Sequence, residues 1–145
     1  MNDWAITFTR VYVGLMFIAH YSGHVLAGPE QFQIFVDYFI SEGLNPAAPM
    51  VILAGVIEIA VSIGLVFGLM TRIAAVGGVA YLFFATLWGH HFSAGYVWVL
   101  PNGGWEFSAT WMAVIFAFAL TGGSKISVDT LMQKIVPKGI QWAFR

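Results

Sequence analysis

Four long stretches of the chain are almost wholly apolar, and polar residues gather in the segments between them. The stretches cover roughly residues 4–27, 49–70, 72–92 and 105–120. About 20 mostly apolar residues suffice to cross a bilayer as a helix, so the pattern predicts four transmembrane helices, of which the last is the shortest. We expect an all-α, integral membrane four-helix bundle that forms a single domain over residues 1–145.

Two further segments have amphipathic patterns. Residues 28–43 place apolar side chains at spacings of three and four between the start signal Gly28–Pro29 and the stop signal Gly43. This pattern predicts an amphipathic helix on the outer membrane surface, which either packs the bundle end or gates a site. Residues 127–145 predict a C-terminal cytoplasmic amphipathic helix that is broken at Pro137.

The basic residues between the stretches predict the orientation. Arg72 lies between the second and third stretches, and four more basic residues follow the last one: Lys125, Lys134, Lys138 and Arg145. The connections 28–48 and 93–104 contain no Lys or Arg. Because basic residues accumulate on the cytoplasmic side, both termini are expected there. The first stretch ends like a signal peptide, but the lack of a basic amino-terminal region favours its retention as an anchor.

The composition agrees with a lipid environment. Hydrophobic residues make up 59% of the 145 residues and charged residues 9%, with a mean hydropathy of +0.81. These values lie outside the range of soluble globular domains. The absence of cysteine excludes disulfides, cysteine-bound zinc and iron–sulfur ligation within this chain. A net charge of −1 excludes a strongly basic nucleic-acid binder, so we expect no nucleic-acid partner.

Six ionisable side chains from all four stretches are expected in the outer half of the bundle. They are His20, His24, Glu58, His90, His91 and Glu106. An ionisable group inside a membrane span costs free energy unless it has a partner or a cavity, and is therefore a candidate for function. Glu58 carries the strongest signal, because it lies near the expected bilayer centre without an ionisable neighbour in its own helix. Its partner must come from another helix, a ligand or water.

Each of the other five residues also has a structural interpretation. His24, His91 and Glu106 lie close enough to the interface for their side chains to reach it. Glu106 also suits the N-terminus of its helix. His20 and His90 are expected to lie deeper, where packing and ligand binding are both open.

Two cations lie in the inner half of the expected bundle. Arg10 and Arg72 are each within about two turns of the cytoplasmic boundary, where a long side chain reaches the headgroups. Both are expected to anchor their helices in this way.

The spacings disfavour two kinds of metal centre. A di-iron carboxylate site needs a histidine three residues after its glutamates, but Val61 and Ala109 follow Glu58 and Glu106. A zinc protease has a glutamate directly after the first histidine of its i, i+4 pair, and His20 lacks one. No metal site is predicted. Haem b, held by histidines of the first and third stretches, stays as a less favoured alternative.

A quinone suits the pattern better. Such a ligand enters from lipid, needs apolar and aromatic walls, and exchanges protons with a histidine or carboxylate. Phe83, Trp88 and the rings of segment 28–43 would form the walls. In this hypothesis His20 and Glu58 are catalytic, because they transfer protons. The residues that bind the cofactor are His20, Glu58, His90 and Glu106.

Three segments together resemble the DoxX family of membrane proteins. They read "RVYVGLMFIAHYSGHV", "GVIEIAVSIGLVFGLMTRIAA" and "NGGWEFSATWMAVIFAFALTGGSKISVD", and their order and spacing cover nearly the whole chain. The resemblance implies a four-helix membrane fold and assigns the family's polar positions to Arg10, His20, Glu58, Thr71, Arg72, Glu106, Ser127 and Asp129. One departure concerns the first segment. Family members often have glycine and then a lysine there, whereas Tyr21 follows His20 and His24 stands near the lysine position.

The resemblance implies quinone-linked redox chemistry, because DoxD-type relatives form the membrane subunit of a thiosulfate:quinone oxidoreductase. We expect an inner-membrane subunit of such an oxidoreductase in a bacterial or archaeal cell. Without cysteine or an identifiable redox motif, the chain would need a partner subunit to carry electrons. Two alternatives remain: a non-catalytic accessory subunit of a larger respiratory or photosynthetic complex, and a carrier of protons or small solutes.

Overall fold

The structure, a computed structural model, describes residues 2–99 and 103–144, and its regular elements are all helical. Six α-helices follow one another: α1 Asp3–Tyr21, α2 Pro29–Ser41, α3 Ala47–Phe67, α4 Thr71–Trp88, α5 Glu106–Thr121 and α6 Val128–Ile135. A π-helical segment, Ser22–Leu26, extends α1, and a 3-10 helix, Lys138–Phe144, follows α6. The predicted all-α class is confirmed for the described ranges, which contain no strand.

Two of the described helices are long and apolar enough to cross a membrane. They are α3 and α4, with mean hydropathies of 2.5 and 1.4, and they match the predicted stretches 49–70 and 72–92. A third candidate is a bent pair of helices. Its first member is α1 together with the π-helical segment, its second is α2, and the angle between them is 96°. α5 is apolar but has only 16 residues. The crossing of the bilayer by α1 and α5 stays a prediction.

The four long helices share one core. α1 lies along α3, α3 along α4 and α4 along α5, while α5 meets α1 at a few positions. Phe17, Leu65 and Ile115 bring fully buried side chains into this core from three different helices. Lipid is as apolar as such a core, so close packing rather than removal from water holds membrane helices together. Gly14 of α1 illustrates this closeness, because a β-carbon there would lie 2.8 Å from Cγ2 of Val66.

α2 begins and ends where the sequence predicts. Pro29 occupies the start of the helix, and Gly43, with a φ of +74°, follows its end. The apolar face of α2 rests on the beginning of α3, where Val36 shares a cluster with Val51. We call the end of the molecule that carries α2 the outer end. The opposite end, which carries both ends of the described chain and α6, is the inner end.

Arg10 corrects the expectation of a headgroup anchor. Its side chain is only 1% exposed and donates to the carbonyl oxygens of Leu65, of Val66 at 3.1 Å and of Ile126 at 3.0 Å. The last carbonyls of a helix have no partner within it, and the guanidinium supplies donors to those of α3. Arg72 likewise donates to the carbonyl of Ala119, near the end of α5, at 2.9 Å. Both cations therefore supply hydrogen-bond donors to carbonyl groups at the C-terminal ends of helices.

Asp129 of α6 satisfies free backbone N–H groups at the start of α4. Its carboxylate accepts from the backbone N–H groups of Met70 at 2.6 Å and Thr71 at 2.9 Å, and from the Thr71 hydroxyl at 2.7 Å. A carboxylate at a helix N-terminus satisfies free donors and opposes the positive end of the helix dipole. α6 thus docks beneath the α3–α4 turn. The predicted break at Pro137 is confirmed, since α6 ends at Ile135; Arg145 lies outside the described residues.

Substituting Gly14 with alanine should destabilise the fold, whereas the same change at Gly77 should not. The new methyl group at Gly14 would lie 2.9 Å from the backbone nitrogen of Val66, so α1 and α3 must separate at a cost of about 1 to 3 kcal/mol. A β-carbon on Gly77, also within a helix, meets no described atom within 4 Å. Alanine there should be neutral or stabilise by up to about 1 kcal/mol.

Thermal unfolding of both variants in detergent measures the difference. Equal melting temperatures would show that α1 and α3 are not in close contact at Gly14.

Candidate functional site

Glu58 is buried within α3 and has partners from two other elements. The residue is 1% exposed. The Tyr81 hydroxyl of α4 donates to its Oε1 at 2.7 Å, and Nδ1 of His24 lies 2.9 Å from its Oε2. The prediction that Glu58 finds its partner outside its own helix is therefore confirmed. We call Glu58, His24 and Tyr81 the Glu58 cluster.

The π-helical segment gives His20 and His24 different neighbours. In an α-helix residues four apart share a face, but a π-helical turn is wider and rotates the residues that follow. His20 packs on Trp111 of α5, with ring centroids 5.2 Å apart. His24 faces α3 and lies edge-on to Phe35 of α2, at 4.3 Å between ring centroids. Both histidines line the same cavity. The expectation that the His24 side chain reaches the interface is wrong, because it is paired with Glu58 inside the protein.

Close packing holds the π-helical segment on α3. A β-carbon built on Gly55 would lie 2.7 Å from Cγ1 of Val25, the residue after His24. Only glycine lets the two backbones approach this far without a shift. The approach places the imidazole of His24 beside the carboxylate of Glu58.

A cavity of about 850 Å³ includes the Glu58 cluster in its lining. His20 and Trp111 belong to the lining too, and most of the remaining surface is apolar. The rings of α2 that were expected as walls, among them Phe35 and Phe39, are present. Trp88 also lines the cavity as expected, whereas Phe83 packs against Phe84 and Phe92. The arrangement offers a polar group in an otherwise apolar chamber, which is typical of small-molecule sites.

His90 and Glu106, both assigned to the site from the sequence, have other partners. Nε2 of His90 lies 2.8 Å from Oε2 of Glu42, at the end of α2, and its side chain is 71% exposed. Oε2 of Glu106 accepts from the backbone N–H of Trp98 at 3.3 Å. Within the described ranges neither is paired with Glu58. α4 ends at Trp88, so His90 lies beyond the helix, where helical periodicity no longer predicts its direction.

His91 takes the place near the cavity that was expected for His90. It lines the cavity, and its Nδ1 is 2.7 Å from the carbonyl oxygen of Gly103. Tyr81, by contrast, was missed because a tyrosine in an apolar stretch looks like a wall residue. Glu58 and Tyr81 lie nearly the same number of residues before and after the α3–α4 turn, which places them at one depth in an antiparallel pair. Their nearly equal distance from the turn is the feature of the sequence that could have identified Tyr81 as a partner of Glu58.

Comparison with known proteins identifies one family. The family model described as DoxX matches residues 5–91, which is more than half of the chain. The match includes Arg10, His20, Glu58 and Thr71, and ends before Glu106. Neither the curated proteins nor the solved structures include a significant match.

Replacing Tyr81 with phenylalanine should destabilise the protein by about 1.5 to 3 kcal/mol, the usual contribution of a hydrogen bond to a charged group. The ring remains, but Oε1 of Glu58 loses its only described donor. Tyr12 is the matched control, because it is exposed and stacks on Phe8. Its change to phenylalanine should stay within about 0.5 kcal/mol. Unfolding measured in detergent compares the two, and equal effects would contradict the contact.

Proposed function

Because the chain belongs to the DoxX family of membrane proteins, we propose that it is an inner-membrane subunit of a quinone-linked oxidoreductase in a bacterial or archaeal cell. The observation that carries the proposal is the apolar cavity lined by Glu58 and His24. A buried carboxylate and an imidazole beside an apolar chamber suit a ligand that dissolves in lipid and exchanges protons.

In this proposal α1, α3, α4 and α5 cross the bilayer as a four-helix bundle within one DoxX-like domain. The apolar length of α3 and α4 supports it, as does the distribution of charge. Lys134 and Lys138 lie at the inner end, whereas α2 at the outer end carries Glu30 and neither Lys nor Arg. Both termini then lie in the cytoplasm, and Glu58 lies near the middle of the membrane.

The residues of the cavity fit a quinone, whose flat ring carries two oxygens that accept hydrogen bonds. One buried atom in the cavity wall, Nε1 of Trp111, makes no hydrogen bond within the described part of the chain, and Nδ1 of His24 and Oε2 of Glu58 are paired with each other at 2.9 Å. Buried polar atoms in folded proteins nearly always have a partner. A quinone oxygen would accept a hydrogen bond from Nε1 of Trp111, and the apolar ring and tail would fill the apolar remainder of the cavity.

Each residue has a distinct role in this site. A quinone bound here supplies the two-electron, two-proton chemistry. The Tyr81 hydroxyl holds Oε1 of Glu58, so that Oε2 stays beside His24. These two groups can hold a proton between Oε2 and Nδ1 and transfer it to a ligand oxygen. His20, packed on Trp111, supplies a second proton-transfer group. The apolar walls exclude water from the transfer.

The electrons come from a partner subunit in this proposal. The chain contains no cysteine, so it supplies no thiol or iron–sulfur route for them. His90 and Glu106 are not needed at the ligand. They stabilise the outer loops through Glu42 and the backbone of Trp98.

Quinone retention after purification tests the proposal. The chain purified in mild detergent should carry quinone that solvent extraction and mass spectrometry identify. Glu58→Gln keeps the shape of the side chain but removes its charge, and should lower the retained amount at least about tenfold, the effect of losing a contact of about 1.4 kcal/mol. Glu30→Gln removes the same charge from an exposed position of α2 and should change nothing.

The other outcomes discriminate between the alternatives. An absence of quinone from the wild-type chain, with quinone reduction in membranes unaffected by Glu58→Gln, would refute the proposed function. Normal activity of the parent complex after substitution of His20, His24 and Glu58 would indicate an accessory subunit. Proton or solute flux in liposomes that requires Glu58 would indicate a carrier. A visible absorption spectrum of the same sample tests haem b.

A further inference from the structure

The cavity extends between the outer halves of α3 and α4. Leu53 and Ile57 line it from α3, and Ala80 and Phe84 line it from α4. Nearer the inner end the same helices approach closely, because Gly64 faces Ala74 without room for a β-carbon. The two helices therefore form a hairpin that is closed at its turn and carries a groove farther out. We call the part of the cavity that Leu53, Ile57, Ala80 and Phe84 line the α3–α4 groove.

This groove opens to the outside of the protein. Leu53 and Phe84 are 56% and 46% exposed, and Trp88, at the outer end of the groove, is 42% exposed. Gly77 lies at the inner end of the groove, where a β-carbon would meet no described atom within 4 Å. In the proposed membrane arrangement, in which α3 and α4 both cross the bilayer, the opening between them faces hydrocarbon rather than water.

The cavity is far larger than a single ring requires. A cavity of roughly 150 Å³ holds benzene, whereas this one measures about 850 Å³. Gly77 and Trp88 are 11 residues apart, so the groove follows roughly 16 Å of α4. Its named lining residues are apolar, while the Glu58 cluster provides polar atoms at one place. Such a shape matches a molecule with one polar ring and a long apolar chain.

We propose that the α3–α4 groove is a lateral entrance from the lipid, in which the tail of an isoprenoid quinone lies while its ring reaches Glu58. This inference rests on the proposed function and adds the class of quinone and its path. The Tyr81–Glu58 hydrogen bond joins α4 to α3 at the depth where the ring stops. Ala80, one residue before Tyr81 and small, leaves room for the tail.

Two quinones with the same ring and different tails test the entrance. Ubiquinone-4 carries an isoprenoid tail and ubiquinone-0 carries none. Their binding to the full chain in detergent is followed by quenching of tryptophan fluorescence. Ala80→Phe fills the groove and should weaken ubiquinone-4 at least about tenfold while leaving ubiquinone-0 unchanged, because only the tail loses buried apolar contacts. Ile52→Phe is the control: Ile52 is exposed on α3, does not line the cavity and should affect neither quinone.

Gly77→Leu gives a second test of the groove, and should act like Ala80→Phe because Gly77 has open space beside it. If each variant weakened ubiquinone-4 and ubiquinone-0 to the same extent, or weakened neither, the proposed entrance would be overturned. The proposed function would still stand. Failure of the wild-type chain to bind either quinone would instead overturn the proposed function, and the entrance with it.

Discussion

The burial of Glu58 in the middle of an apolar helix is the constraint on which the outer half of the structure depends. An ionisable side chain at the centre of a membrane helix costs on the order of 3 kcal/mol, so neighbouring helices must supply polar partners. Tyr81 supplies a hydroxyl from α4, and His24 an imidazole from the end of α1. Both must lie at the depth of Glu58, which determines how α1 and α4 are positioned along α3. The π-helical segment meets this requirement by turning His24 toward α3 while His20 stays against Trp111.

A different group of polar residues stabilises the inner end. Arg10 donates to the final carbonyls of α3, and Asp129 accepts from the first N–H groups of α4. Together they complete both sides of the α3–α4 turn and attach α6 to it. Both charged groups bond mainly to backbone groups at helix ends. At the outer end, Glu58 and His24 are paired with each other through their side chains and line a cavity. The polar groups of the inner end therefore hold helices together, whereas those of the outer end line the cavity that we propose as the ligand site.

Much of the fold follows from the sequence, because apolar runs and turn signals act locally. The helices coincide with the predicted stretches to within a few residues, and Pro29 and Gly43 mark the limits of α2. Glu58 could be singled out because its helix contains no other ionisable residue. Its partners could not be assigned, since the choice between His24 and His90 depends on a π-helical turn and on the end of α4 at Trp88. These features break the 3.6-residue period on which such predictions rest. The carbonyls that bind Arg10 likewise become visible only when the end of α3 is placed beside α1.

A double-mutant cycle between His24 and Glu58 tests most directly whether α1 and α3 are joined through a buried pair. The unfolding free energies of four chains are compared in detergent: the wild type, His24→Gln, Glu58→Gln and the double variant. Each single change leaves one ionisable partner behind, whereas the double change removes both ionisable groups. We predict a coupling energy of at least about 1 kcal/mol, within the range for residues in contact. Additivity to within about 0.5 kcal/mol, as for independent sites, would contradict the pairing on which the proposed site is built.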